Sequence, residues 1–172
     1  MTEDLLRLPD GTELRFLVRP TDPSRDPLVM EFVLPDRSAY PPPHLHPDGQ
    51  REQFEVLEGR IELLVGRKWR RLEAGQELEV PSGVRHTLRN RSGESARIRD
   101  THVPARSFEP YIRGIVALAN ETGSSRPLAP RAAIRAATLS RRHADTFTAA
   151  GFPLRLGIAV GALIGRAFGL KP

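Results

Sequence analysis

The chain has 172 residues, room for one domain with an appendage and for a core that needs no disulfide or metal to hold it. It contains no cysteine, which excludes disulfides, thiolate zinc sites, iron–sulfur clusters and a cysteine nucleophile; 39% hydrophobic and 27% charged residues exclude wholesale disorder. Residues 1–104 carry 16 basic and 18 acidic side chains and residues 105–172 carry 10 and 3, so the net charge of +5 belongs to the tail.

No basic run is interleaved with aromatics, so no nucleic-acid partner is expected. No stretch of 18 apolar residues occurs, so no transmembrane segment is expected, and the acidic start, MTEDLLRLPDGTE, does not read as a signal peptide. A cytoplasmic location is the expectation.

In chain order, Thr12 to Val18 alternates like a strand, and so do Leu28, Met30, Phe32 and Leu34. Ile61, Leu63 and Val65, then Leu78 and Val80, repeat the pattern. Turn signals stand at Asp10-Gly11, Pro41-Pro42-Pro43, Asp48-Gly49, Gly66, Ala74-Gly75, Pro81-Ser82-Gly83 and Ser92-Gly93. Many short strands at this spacing predict an all-β sandwich or barrel over residues 1–104. After residue 105 the texture becomes helical: Pro110–Ala119, Pro130 to about Ala150 ended by Gly151, and a last helix opened by Pro153 and reaching Leu170.

The chemistry-bearing residues cluster in two segments. In the first, His44 and His46 stand two apart on a strand and so aim two imidazoles the same way. After the Asp48-Gly49 turn, Glu52 returns on a neighbouring strand, and Gly59 comes seven residues later. In the second, Gly75, Pro81, Gly83, His86 and Asn90 place His86 at the start of a strand behind a turn. Three imidazoles and a carboxylate suit a divalent first-row metal.

Together the two segments resemble the motifs of the cupin superfamily. The second matches the pattern Gly-x5-Pro-x-Gly-x2-His-x3-Asn at every spacing. The first has two departures: five residues separate His46 from Glu52, where three or four are usual, and Ser38 stands where a Gly often begins the motif. Glu55 is an alternative to Glu52, but Glu52 keeps the distance to Gly59. The resemblance covers roughly residues 27–104. It implies a cupin-type double-stranded β-helix, a jelly-roll barrel, with C-terminal α-helices added.

It also implies one divalent metal ion per chain, Fe, Mn, Ni or Zn, held by His44, His46, Glu52 and His86. The function it suggests is small-molecule metalloenzyme chemistry of dioxygenase type on an aromatic or polyketide-like substrate, with cyclase, isomerase or lyase chemistry behind it. The alternative is a non-catalytic small-molecule-binding or sensor cupin. A homodimer pairing the Thr12–Val18 strands is expected from related barrels.

Two further residues are candidates for a catalytic role. If Ile98 points inward, strand parity sends Asp100 and His102 inward as an acid–base pair and leaves Arg97 and Arg99 outside. Tyr40, just before the metal strand, is placed to reach the pocket mouth. Phe32, Phe54 and Leu88 are expected to line an apolar wall, Trp69 to lie at a partly exposed edge, and His143 on a solvated helix face.

Residues 105–172 are expected to form a basic helical extension packed on the barrel or on a partner subunit. Gly157, Gly161, Gly165 and Gly169 recur every four residues, a glycine ridge among Ile158, Leu163 and Ile164. Arg155 and Arg166 leave only about ten apolar residues between them, too short to span a bilayer. Docking on protein is therefore preferred to peripheral contact with a membrane.

Overall fold

A computed structural model describes residues 4–125 and 129–170, apart from the side chains of Ala39 and Tyr40. The strands are β1 (Leu5–Arg7), β2 (Glu13–Val18), β3 (Leu28–Leu34), β4 (Ala39–Leu45), β5 (Arg51–Glu58), β6 (Arg60–Val65), β7 (Lys68–Glu73), β8 (Glu77–Val80), β9 (His86–Arg89) and β10 (Ala96–Val103). Beyond them come helices α1 (Phe108–Thr122) and α2 (Pro130–Arg142), a two-residue strand β11 (Thr148–Ala149) and helix α3 (Phe152–Ala167). One antiparallel sheet has the order β1-β2-β3-β10-β5-β8 and the other β11-β4-β9-β6-β7, the two layers of a jelly roll.

Period-two alternation places one face of each strand on the core. Leu28, Met30 and Leu34 of β3 are buried, as are Ile61 and Leu63 of β6 and Val80 of β8. Leu34, Phe54, Val56, Leu63, Leu88 and Ile98 form one apolar cluster, with Phe32 packed against it. On the outer face of β10, Arg97 pairs with Glu31 and Glu58, and Arg99 with Glu55. Trp69 is half exposed, with the Arg89 guanidinium over its ring at 3.7 Å. Gly59 turns β5 into β6 at φ 71°, and a Cβ there would lie 2.8 Å from the Ser95 carbonyl oxygen, so only glycine fits without a shift.

The Pro41-Pro42-Pro43 run is not a turn: it lies within β4. The proline φ is compatible with extended backbone, but the ring nitrogen donates nothing to a ladder. Accordingly the β4–β9 register shifts between Tyr40 and His44. The proline carbonyls are used instead: Pro41 accepts from Thr87 Oγ1 and Pro43 from the Ala150 amide.

The second apolar cluster joins the barrel to the helical extension. Leu14, Leu28 and Met30 pack with Phe108, Tyr111 and Ile112 of α1 and with Phe147. Helix α1 runs further than Pro110–Ala119 at both ends and closes on Gly123 in the left-handed conformation. Helix α2 does not continue to Ala150. It ends at Arg142, and the chain turns through His143 into β11, which pairs with His44 and Leu45 of β4. One sheet therefore contains a strand from beyond residue 104. His143 is correspondingly buried, its ring 6.0 Å from that of Tyr111.

Helix α3 packs on α2 through part of the glycine ridge. A Cβ at Gly161 would lie 3.0 Å from Ala137 Cβ, and one at Gly165 2.5 Å from Thr138 Oγ1, whereas Gly157 and Gly169 have nothing near. Ile158 is partly buried, but Leu163 and Ile164, expected at the docked face, are 64% and 38% exposed. Glycine leaves room for α2 on one side of α3, which turns the bulky residues at those positions away from it. No helix among the described residues is long and apolar enough to cross a membrane.

Candidate metal centre

The site lies between the two sheets. From one, His44 and His86 are direct cross-strand partners on β4 and β9, and His46 stands just after β4. From the other, Glu52 on β5 is the cross-strand partner of His102 on β10, two residues beyond Asp100. The Pro81-Ser82-Gly83 turn delivers His86, and the Gly83 amide donates to the His46 carbonyl, tying the two histidine segments together. All six side chains are buried, with no more than 4% exposure.

One potential ligand atom from each of His44, His46, Glu52 and His86 lies within 4.8 Å of the others, a group that could hold a metal ion. Glu52 Oε2 is 3.0 Å from His46 Nε2 and 2.6 Å from His86 Nε2. On each imidazole the other nitrogen faces a main-chain carbonyl: His44 Nδ1 that of Pro42 at 3.1 Å, His46 Nδ1 that of Thr146 at 2.5 Å, His86 Nδ1 that of Val84 at 2.8 Å. A carbonyl can only accept, so in the neutral rings each Nδ1 carries the proton and each Nε2 keeps its lone pair. Outer partners of this kind orient metal-binding histidines. The 2.6 Å approach of His86 Nε2 to Glu52 is not aligned as a hydrogen bond, which leaves that nitrogen a buried polar atom without a hydrogen-bond partner. An Nε2 aimed at a carboxylate without a shared proton is the arrangement a cation between them would satisfy, so the donor set fits a divalent ion.

Glu52 also belongs to a second close group with Asp100 and His102. His102 Nε2 is 3.4 Å from both Glu52 Oε1 and Asp100 Oδ1, and the ring stacks on Phe108 at 3.6 Å. Both His102 nitrogens and Asp100 Oδ1 lack a hydrogen-bond partner. Phe147 stacks on His44 at 4.9 Å.

Burial and proximity set the electrostatics. Burial, together with His86 and His46, holds His44 well below the usual histidine range, and burial lowers His46 too. Burial pushes Glu52 up, but His86, His102 and His46 outweigh it and hold the carboxyl well below its ordinary value. Burial likewise pulls His86 and His102 down, and is outweighed by Glu52 for the first and by Asp100 and Glu52 for the second, so both are raised. Burial lifts Asp100 to about 6.

The structure thus brings together His44, His46, Glu52, His86 and His102, and turns Glu55 away to the outer face with Arg99. Tyr40 is in β4 by its backbone, and its side chain lies outside the described residues. Sequence reasoning missed Thr146, Phe147, Phe108 and Gln50. Gln50 is fully buried and donates to the Pro104 carbonyl and to Thr146 Oγ1, which in turn donates to Gln50 Oε1. The only available signal for Gln50 was its place in the turn between His46 and Glu52.

Residues 30–103 match the Cupin domain family. Among solved structures, KdgF from Halomonas sp. superposes with a TM-score of 0.53 at 17% identity, over 62% of this chain and 92% of that one. An RmlC-like cupin from Shewanella frigidimarina gives 0.51 at 18%, over 63% and 89%, and the Cnp3 cupin domain of Schizosaccharomyces pombe gives 0.50 at 19%, over 66% and 76%. No curated protein sequence matches the chain. Residues 30–103 are thus a cupin domain, a jelly roll bearing a buried His/Glu cluster that could hold a metal ion, and a helical extension follows it.

Proposed function

We propose that the chain is a mononuclear metalloprotein in which His44, His46, Glu52 and His86 hold one divalent ion, and that it acts on a small molecule at that ion. The observation that supports this reading is the set of three Nδ1–carbonyl contacts, which presents the Nε2 atoms of three imidazoles toward one carboxylate. A bound first-row ion supplies Lewis acidity and exchangeable coordination positions, and imidazole and carboxylate ligands suit Fe, Mn, Ni or Zn alike. In this reading His102 and Asp100 exchange a proton with the bound molecule, and Phe108 and Phe147 stack on His102 and His44. An aromatic or polyketide-like substrate is the class this reading favours, and dioxygenase-type oxidation is the first reaction to assay.

The test has two stages. Elemental analysis of untagged protein is expected to find about one ion per chain, lost in a His44→Ala/His86→Ala double variant. Oxygen uptake is then monitored with a panel of phenols. Equal metal in the wild type and the double variant overturns the site. Full metal content without turnover assigns the chain to the non-catalytic binding cupins. A homodimer is proposed separately. Because β1 already pairs with Glu13–Arg15 of β2, the exposed Leu17 and Val18 are left to make the contact, and light scattering tests it.

A further inference from the structure

Helix α3 has a second face. Phe152, Leu156, Val160 and Leu163 succeed one another at helical spacing of four, four and three, and are 77%, 51%, 46% and 64% exposed. They form a continuous stripe on the side opposite Gly161 and Gly165, which pack on α2. A contiguous exposed apolar stripe of this kind marks an interaction surface. Beside it, Arg155, whose Nε donates to the Ala149 carbonyl at 3.0 Å, and Arg166 stand eleven residues apart, hence on one flank of the same helix. No acidic residue occurs after Asp145 in the chain.

We propose that this face of α3 lies on an anionic lipid surface, with the apolar stripe in the acyl boundary and Arg155 and Arg166 among the headgroups. Charge decides between the occupants. A second copy of α3 has no carboxylate to offer either arginine, and an antiparallel pairing sets the two arginine flanks against each other. An anionic bilayer satisfies both the stripe and the flank. The helix is too short to span, so it lies in the plane of the interface while its glycine face stays on α2 and the barrel remains outside.

The full-length protein is tested by flotation with phosphatidylglycerol/phosphatidylcholine vesicles and with phosphatidylcholine vesicles alone. The expected result is flotation with the anionic vesicles, weakened by added salt. Phe152→Ser/Leu156→Ser/Leu163→Ser should abolish it with thermal unfolding unchanged, because these side chains are exposed. Arg166→Gln should weaken partitioning about fivefold. Failure to float, or equal flotation with phosphatidylcholine alone, overturns the proposal. So does a dimer in light scattering that disappears in the triple variant, which assigns the stripe to a second copy.

Discussion

His46 Nδ1 meets the carbonyl oxygen of Thr146 at 2.5 Å, across 100 residues of sequence. The contact ties the helical extension to the sheet that carries the candidate histidine ligands. Thr146 is itself held, because its hydroxyl and the Gln50 side chain exchange hydrogen bonds in a fully buried pair. Orientation of a candidate ligand thus depends on β11 being seated beside β4.

That chain of contacts carries the first prediction. Gln50→Leu removes the partner of Thr146 while sparing all four candidate ligands. Metal affinity is expected to fall about 10–100-fold, the usual effect of losing an outer-sphere orienting group. Calorimetric titration of the metal-free variant checks it; unchanged affinity would show that Thr146 does not orient His46.

His86→Ala is expected to lower metal content at least about tenfold, since losing a ligand costs no less than losing its support. The circular dichroism of the strands should survive, because His86 adds little to the apolar clusters. Elemental analysis alongside the spectrum separates loss of metal from loss of fold.

Metal binding should strengthen as pH rises. The metal must displace any proton on His86, which Glu52 holds above the usual histidine value. Protonated His86 therefore competes through and above the ordinary histidine range, and affinity falls as pH drops through it. Titrations on either side of neutrality, in buffers of matched ionic strength, give the slope; a flat profile would remove His86 from the ligand set.

Asp100 predicts the reverse dependence for the stability of the metal-free protein. Its folded value of about 6 lies above its ordinary 3.8, so its contribution is complete below about 4 and is lost as pH rises to about 6. The raised value of His102 acts in the same direction at higher pH, and the depressed Glu52 acts oppositely, below its ordinary 4.5. Asp100→Asn should abolish the loss between about pH 4 and 6, worth on the order of 2–3 kcal/mol. Thermal unfolding in the presence of a chelator measures it, and parallel wild-type and variant curves across that window would contradict it.

The two glycines of α3 should behave differently. Gly165→Leu drives a side chain into Thr138 and Ile134 and is expected to destabilise by about 1–3 kcal/mol. Gly157→Ala meets nothing within 4 Å and should stabilise by about 0.5–1 kcal/mol through helix propensity. Denaturant midpoints for the pair test how α3 is seated.

Much of the barrel and the core of the site could be read before any coordinates, because strands advertise themselves by a period of two. That period put His44 with His46, and Ile98 with Asp100 and His102, on shared faces. The spacing from Glu52 to Gly59 selected Glu52 over Glu55, and the turn at Gly59 requires a residue without a Cβ. What the sequence could not supply is the closure of the site. A two-residue strand such as Thr148–Ala149 has no period to detect, and its pairing with His44 and Leu45 exists only after α1 and α2 have carried the chain back over the barrel. The same return buries His143 and places Phe147 on His44 and Thr146 on His46. Local pattern determined which side chains share a face. The carbonyls that face His44 and His86 come from Pro42 and Val84, two residues away. Only long-range packing decided that Thr146 turns His46 toward the centre, because a main-chain carbonyl carries no side-chain signature.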